Sequence, residues 1–143
     1  MLRKDYTETE QKKVLKSINI LVDTREHKGK NDHILNYFDN NKIPWTNRKL
    51  DAGDYSFYIP KDEGLRIEED ISFADTIMVE RKANLEEISA NLTVSRDRIN
   101  REFTRSPKNK VLLIENSKYS DLVNGNYNTN YPPKSFWASI FSM

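Results

Sequence analysis

The chain contains no cysteine, so it carries neither disulfides nor thiolate metal sites, and its redox compartment is left unconstrained. It lacks a net charge worth the name, with 23 Lys and Arg against 22 Asp and Glu. Bulk electrostatics therefore announce no polyanionic partner, and any such partner must be argued from local clusters. No apolar run approaches the roughly 18 residues of a membrane span. The start, "MLRKDYTETEQKK", has no apolar h-region, and no secretory signal is expected. The two histidines, His27 and His33, flank one loop without ligand spacing and are read as non-catalytic. No internal repeat is present.

What remains is a polar chain of 143 residues, 31% charged, with seven Tyr, six Phe and two Trp to build a core. That length fits one domain. Residues 1–17 are read as a polar N-terminal arm and 18–143 as a single domain. "INILV" (18–22) is a β-branched run of the kind found in buried strands. Asn31 and Asp32 suit the start of a helix with Ile34, Leu35 and Phe38 on one face. "WTNRKL" (45–50) and "DYSFYI" (54–59) read as strands turned at Gly53. The acidic stretch 60–75 reads as a loop or a protruding hairpin. "TIMVE" (76–80) is the next strand. Asn84 with Glu87 resembles a capping box for a helix through Leu92, and a second helical piece runs from Ser95 to about Arg105. "KVLLIE" (110–115) reads as another buried strand, "NGNYNTNYPP" as a loop, and Pro132-Pro133 as the opening of a last helix, "KSFWASIF". This order predicts an α/β fold whose sheet is covered on both faces.

The sharpest feature is "IMVERKANLEE" (77–87), an apolar strand that runs into Glu80-Arg81-Lys82 without a spacer. Strand side chains alternate, so Glu80 and Lys82 share a face and Arg81 points away. Asp54 opens a strand directly after Gly53, and Asp23 and Glu26 stand where an apolar strand stops. Sites in open α/β sheets lie beyond the carboxyl ends of strands, which brings four carboxylates and one lysine to one edge. Carboxylates without His or Cys favour a hard ion, Mg²⁺ or Mn²⁺. With a lysine to orient water or stabilise an oxyanion, such a site hydrolyses a phosphodiester. Each element also has a plainer reading. Asp23 and Asp54 suit turns, and Glu80 with Lys82 suits a surface ion pair, although the apolar run before them argues against an edge strand.

Taken in order, "VDTRE", "LDAGDYSF", "MVERKANLEE", "SRDRINREF" and "VLLIE" resemble the nuclease domain of the XPF family of structure-specific endonucleases, over about Ile18 to Glu115. The resemblance implies a restriction-endonuclease-like core, a central mixed sheet flanked by helices. It implies that Asp23, Glu26, Asp54 and Glu80 are the acidic metal-site positions, for Mg²⁺ or Mn²⁺, that Lys82 is the catalytic lysine, and that Arg81 is the motif arginine. The family pattern has Asp four residues after the lysine, where this chain has Glu86; first-turn helix chemistry explains that residue equally well. Arg98 and Glu102 match a helical pair near the family's site, and are also spaced as an ordinary i, i+4 pair. Arg96, Arg98, Arg101, Arg105, Lys108 and Lys110 concentrate positive charge on and after one helix, read as a track for DNA phosphates or as a solvated face. The helix-hairpin-helix and helicase modules of longer members are absent from this sequence. The small stand-alone form looks like phage- or prophage-encoded members, which implies the cytoplasm of a bacterial or phage-infected cell.

The expected function is a metal-dependent endonuclease on branched, flapped or structured DNA. The alternative is an inactive DNA-binding or dimerisation scaffold of the same fold, disfavoured because the acidic and lysine positions are all retained. Phe136, Trp137 and Ile140 fall on one apolar face of the last helix. That face must pack across this domain's own sheet or against a second chain; the resemblance implies a homodimer, expected through that helix and the last strand, and the domain is read as possibly truncated at its C-terminus.

Overall fold

A computed structural model describes residues 2, 5–25, 29–105 and 107–143. The chain opens with α1 (Glu8–Ser17), β1 (Asn19–Val22), α2 (Asp32–Asn40), β2 (Trp45–Asn47) and β3 (Tyr55–Ile59). It continues with β4 (Ile71–Ser72), β5 (Ile77–Lys82), α3 (Leu85–Val94), α4 (Arg96–Arg105), β6 (Asn109–Ile114), α5 (Tyr119–Asn124) and α6 (Pro133–Phe141). Among the described residues the strands form one mixed sheet in the order β2-β1-β3-β5-β6, with β4 paired to β3. The β1–β2 and β5–β6 pairs are parallel and β1–β3 and β3–β5 antiparallel. Parallel neighbours need long crossovers. Helix α2 lies in the first crossover, and α3 with α4 in the second. The architecture is the mixed α/β sheet flanked by helices that the resemblance implied.

Strand alternation sorts the two faces. Met78 of β5 and Leu112 and Ile114 of β6 pack with Leu85, Ile88, Leu92, Ile99, Phe103, Leu122 and Phe136 into the main core. Glu80 and Lys82 share the Met78 face. Ile77, Val79 and Arg81 belong to the opposite face, where Ile34 and Phe38 of α2 line an apolar hollow with Phe57, Val79 and Leu113. Burying a side chain such as Phe136, fully inaccessible here, contributes roughly 1.5–3 kcal/mol.

Four sequence expectations differ from the fold. The polar arm contains a helix: Thr7 Oγ1 accepts from the Glu10 N–H and the Glu10 carboxylate accepts from the Thr7 N–H. Only Val14 of that helix is buried, so it shows no apolar period. It docks on a satellite cluster with Ile59, Leu65 and Ile67, and the Tyr6 hydroxyl donates to the Leu65 carbonyl. The acidic stretch 60–75 supplies that cluster: it folds back through an Asp62–Ile67 bridge into β4, and Phe73 stacks on Phe57. Helix α5 lies just before the loop, in a stretch to which the sequence reading gave no element; six residues are too short for a periodic signal, and Gly125 closes it at φ +73°. Finally, β6 is the sheet's outer strand rather than a buried one. Val111 and Leu113 are 45% and 42% exposed, since an apolar run reads alike whether or not its outer side is covered.

The C-terminal helix is divided. Phe136 sits in the core between the rings of Tyr127 and Tyr131, whereas Trp137 faces outward and donates to the Tyr119 hydroxyl. Among the described residues no helix is long and apolar enough to cross a membrane.

Candidate active site

Asp54 is fixed by its neighbours on both sides. Its N–H donates to the Val79 carbonyl, its carbonyl accepts from the Asp23 N–H, and its Oδ2 accepts from the Arg81 N–H at 2.7 Å. Gly53 makes this approach possible. It has φ +77°, and a Cβ there would lie 2.8 Å from Met78 Cβ, so a side chain would push β5 away from the turn. Asp23, 4% exposed, ends β1. Its Oδ1 accepts from the Leu50 N–H at 2.8 Å and its Oδ2 from Arg25 Nε at 2.9 Å. The Arg25 Nη2 donates to the Leu50 carbonyl. Hydrogen bonding to Asp23, then its charge, raises the Arg25 pKa above the usual arginine value.

Glu80 and Lys82 lie side by side on the core face of β5, with Lys82 Nζ 3.3 Å from Glu80 Oε1. Interior pairing of β5 with β3 and β6 removes the edge-strand reading of these charges. Arg81 points to the other face. Its side chain is 6% exposed, Nη1 stands 3.0 Å from Glu115 Oε1, and Nη2 donates to the Lys30 carbonyl. Glu115 Oε2 in turn meets His33 Nε2 at 2.6 Å. This network ties the end of β6 to β5 and to the start of α2.

Two hollows meet over the ends of β1, β3 and β5. They have volumes of about 410 and 370 Å³ and share Asp23, Arg25, Asp54, Glu80 and Arg98. The first adds Asp51, Glu102 and Arg105, and the second adds Lys30, Arg81, Lys82 and Glu87. A larger hollow of about 580 Å³ lies between β6, α5 and α6, but its walls are mostly apolar and include none of these carboxylates.

Of the residues singled out in the sequence, Asp23, Asp54, Glu80, Arg81 and Lys82 therefore converge. Glu26 lies outside the described residues, as does His27. Glu86 is turned away: its Oε1 accepts from the Asn128 N–H in the α5–α6 loop. One residue along a helix is a turn of about 100°, so Glu87 lines the cleft instead, with its Oε2 held by the Ala83 N–H. Arg98 and Glu102 form a 3.1 Å pair over the first hollow, and Arg105 joins them on the same helical face. Arg96, Arg101 and Lys108 are exposed but line neither hollow. Lys110 sits beside the Phe103 ring and the apolar hollow.

Sequence reasoning missed Arg25, Lys30, Asp51, Glu87 and Glu115 as neighbours of the site. Arg25 was within "VDTRE", where its partner Asp23 is local but Leu50 is 25 residues on; Glu115 closed "VLLIE", and its partner became visible only with the β5–β6 register, Lys82 opposite Ile114.

Among the described residues no three His, Asp or Glu side chains cluster closely enough to hold an ion by themselves. Asp54 and Glu80 offer two hard oxygen donors on one wall. Mg²⁺ commonly takes one or two carboxylates and fills its other positions with water and phosphate oxygens, so this donor set fits that ion.

No curated protein matches the chain. Residues 22–143 match the family described as the ERCC4 domain. The matched stretch carries the end of β1, every later element of the sheet, and all the cleft residues named above. With most of its length covered, this chain belongs to the ERCC4 domain family, the nuclease domains of XPF type.

Proposed function

We propose that the protein is a divalent-metal-dependent endonuclease that hydrolyses phosphodiester bonds in branched, flapped or otherwise structured DNA. The observation that carries this reading is the convergence of Asp54, Glu80 and Lys82 in one cleft, under the arginines of α4. Asp54 and Glu80, with Glu26, would hold Mg²⁺ or Mn²⁺. Such an ion lowers the pKa of a bound water and offsets charge on the phosphate. Lys82, 3.3 Å from Glu80 on its own strand, orients the attacking water or stabilises the oxyanion as the P–O bond breaks. Arg98 and Arg105 meet phosphates beside the cut. Recognition then runs through phosphates and shape, since no base-reading element accompanies the site among the described residues. The setting consistent with this is the cytoplasm of a bacterial or phage-infected cell.

The test is incubation with linear, flap, fork and four-way-junction DNA. Cleavage is expected with Mg²⁺ or Mn²⁺, strongest on the structured substrates, and Ca²⁺ is expected to support binding with little cutting. Full cleavage in EDTA would contradict the metal role, and no cleavage of any substrate would favour the inactive-scaffold reading.

The apolar surface of α5 and α6 supports a homodimer. Trp137, Phe141, Tyr119 and Val123 are exposed beside the open edge of β6, and exposed apolar patches of this kind mark interaction sites. Light scattering coupled to size exclusion should report twice the monomer mass. Trp137→Ser with Phe141→Ser should return a folded monomer. Phe136 is unsuitable for this test because it is a core residue. A wild-type monomer at tens of micromolar rules the dimer out.

A further inference from the structure

We propose that the turn joining α3 and α4 reads the branch in the DNA: Val94 is an apolar wedge at the point where the strands part, and the hollow beside it receives the unpaired nucleotide next to the duplex. This rests on the nuclease reading and deepens it, from a class of substrate to the surface that recognises it.

Val94 is 85% exposed, more than any other large apolar residue among those described. A lone exposed valine is ordinary; the place of this one is not. Ser95 after it is fixed on both sides, its N–H donating to the Asn91 carbonyl and its carbonyl accepting from the Ile99 N–H, so the turn is a firm support. Val94 stands seven residues after Glu87 on α3, almost two full turns, hence on the same face and roughly 10 Å further along. Glu87 lines the cleft of Asp54 and Glu80. One turn beyond the valine, on α4, Arg98 lines both hollows of that cleft. The tip therefore stands at the rim of the cleft. Exposed Arg96 and Arg98 beside it outweigh Asp97 and draw in the phosphates of a duplex.

On its other side Val94 borders a separate hollow of about 530 Å³, between α3 and the loop before α6. Ala90, Tyr131 and Pro132 give it apolar walls, and Thr93, Asn130 and Glu86 add hydroxyl, amide and carboxylate groups. The loop is latched to α3 by two side-chain bonds, Ser89 Oγ to Thr129 Oγ1 at 3.0 Å and the Asn128 N–H to Glu86 Oε1 at 2.9 Å. These ties fix both walls. The lining carries no lysine or arginine, so it suits the uncharged base of a nucleotide and not its phosphate. Apolar walls cover the faces of any base, so the hollow senses that a base is unpaired and not which base it is. A linear duplex keeps its bases stacked and offers the hollow nothing. At a branch the stack is already interrupted. An apolar side chain inserts there as wedges do between base steps of kinked DNA, and a base that is already single-stranded costs least to draw out.

The experiment uses the full chain in Ca²⁺, with fluorescence anisotropy of a labelled flap DNA and of a linear duplex of equal length. A fluorescent adenine analogue that brightens on leaving a base stack is placed in the flap, either at the first unpaired position or far from the branch. Wild-type protein should brighten the first position only. Val94→Ser should abolish the brightening and cut the flap-to-duplex affinity ratio by about tenfold, the loss expected when one apolar side chain is no longer buried. Ala90→Phe, which fills the hollow, should lower the ratio in the same direction, and Val94→Leu should preserve it. Positions 90 and 94 are both exposed, so the variants should fold, and thermal melts check that they do.

A Val94→Ser protein with the wild-type ratio overturns the wedge. An Ala90→Phe protein with the wild-type ratio overturns the hollow as the nucleotide's seat. Wild-type protein that cuts flap DNA in Mg²⁺ but brightens neither position, or both alike, overturns the inference and leaves the nuclease reading standing. Wild-type protein that neither binds nor cuts any of the DNAs removes that reading, and the inference with it.

Discussion

Lys82→Ala is expected to lower the rate of DNA cleavage by about 10²–10³-fold, the loss typical of removing one preorganised group that faces developing charge. Lys82 lies almost buried in the cleft beside Glu80, with side-chain exposures of 11% and 18%, so water cannot take over its electrostatic role. DNA affinity in Ca²⁺ should hardly change, because the proposed phosphate contacts lie on the arginines of α4. Asp54→Asn and Glu80→Gln should abolish cleavage as well, but by a different route. Each removes a negative charge from a wall that faces phosphate, so DNA binding in EDTA should stay equal or tighten. Mn²⁺ affinity should fall in both carboxylate variants and survive in Lys82→Ala. Single-turnover cleavage on a structured DNA, with thermal melts as a control, separates the two routes. A Lys82→Ala protein cutting at the wild-type rate would remove the lysine from the chemistry.

The second large effect is on stability, at Glu115. Arg81 is 6% exposed and its guanidinium meets the Glu115 carboxylate at 3.0 Å. Removing the carboxylate takes the opposite charge from a buried guanidinium, at a cost that approaches about 3 kcal/mol. Glu115→Ala also strips His33 of its partner and loosens the tie between β6 and the start of α2. For a domain of this size a change of about 3 kcal/mol corresponds to a fall in Tm of very roughly 10 °C. Replacing both members by apolar residues, Arg81→Met with Glu115→Leu, should recover much of that loss, as buried pairs elsewhere can be exchanged for well-packed hydrophobes. Differential scanning calorimetry checks both. A single variant that melts within 2 °C of wild type would mean that the pair contributes little to holding the sheet end together. A loss of the expected size would mean that the motif arginine acts mainly through the structure, where its side chain meets Glu115 after β6 and the Lys30 carbonyl before α2 and its backbone N–H donates to Asp54.

Much of the site was legible before any fold was known, because it depends on rules that act over a few residues. Alternation along a strand separates Glu80 and Lys82 from Arg81 wherever that strand ends up. A glycine before an aspartate at a strand start signals a turn that delivers the carboxylate. The strands themselves were readable from β-branched and aromatic runs, and α3 from the Asn84 cap, whose Oδ1 accepts from the Glu87 N–H. The ordered motifs pointed to the family for the same reason. Each segment supplies one piece of the cleft from its own local geometry.

Other features had no local signal. Helix α1 hides its single buried residue, Val14, among charged neighbours, and its partners Ile59, Leu65 and Ile67 lie more than forty residues away. The choice between Glu86 and Glu87 turned on about 100° of helix rotation, which only packing of Leu85 and Ile88 against the core sets. Asn31 was read as a cap from its type, but its side chain donates to the Tyr55 hydroxyl instead. The sequence by itself determined which residue types could meet at the cleft, since strand period and turn chemistry are properties of neighbours in the chain. Tertiary structure decided the pairs between segments distant in the chain. Glu115 meets Arg81 and His33 only when β5 and β6 align, and the Leu50 N–H meets Asp23 only when the chain after β2 returns to the end of β1.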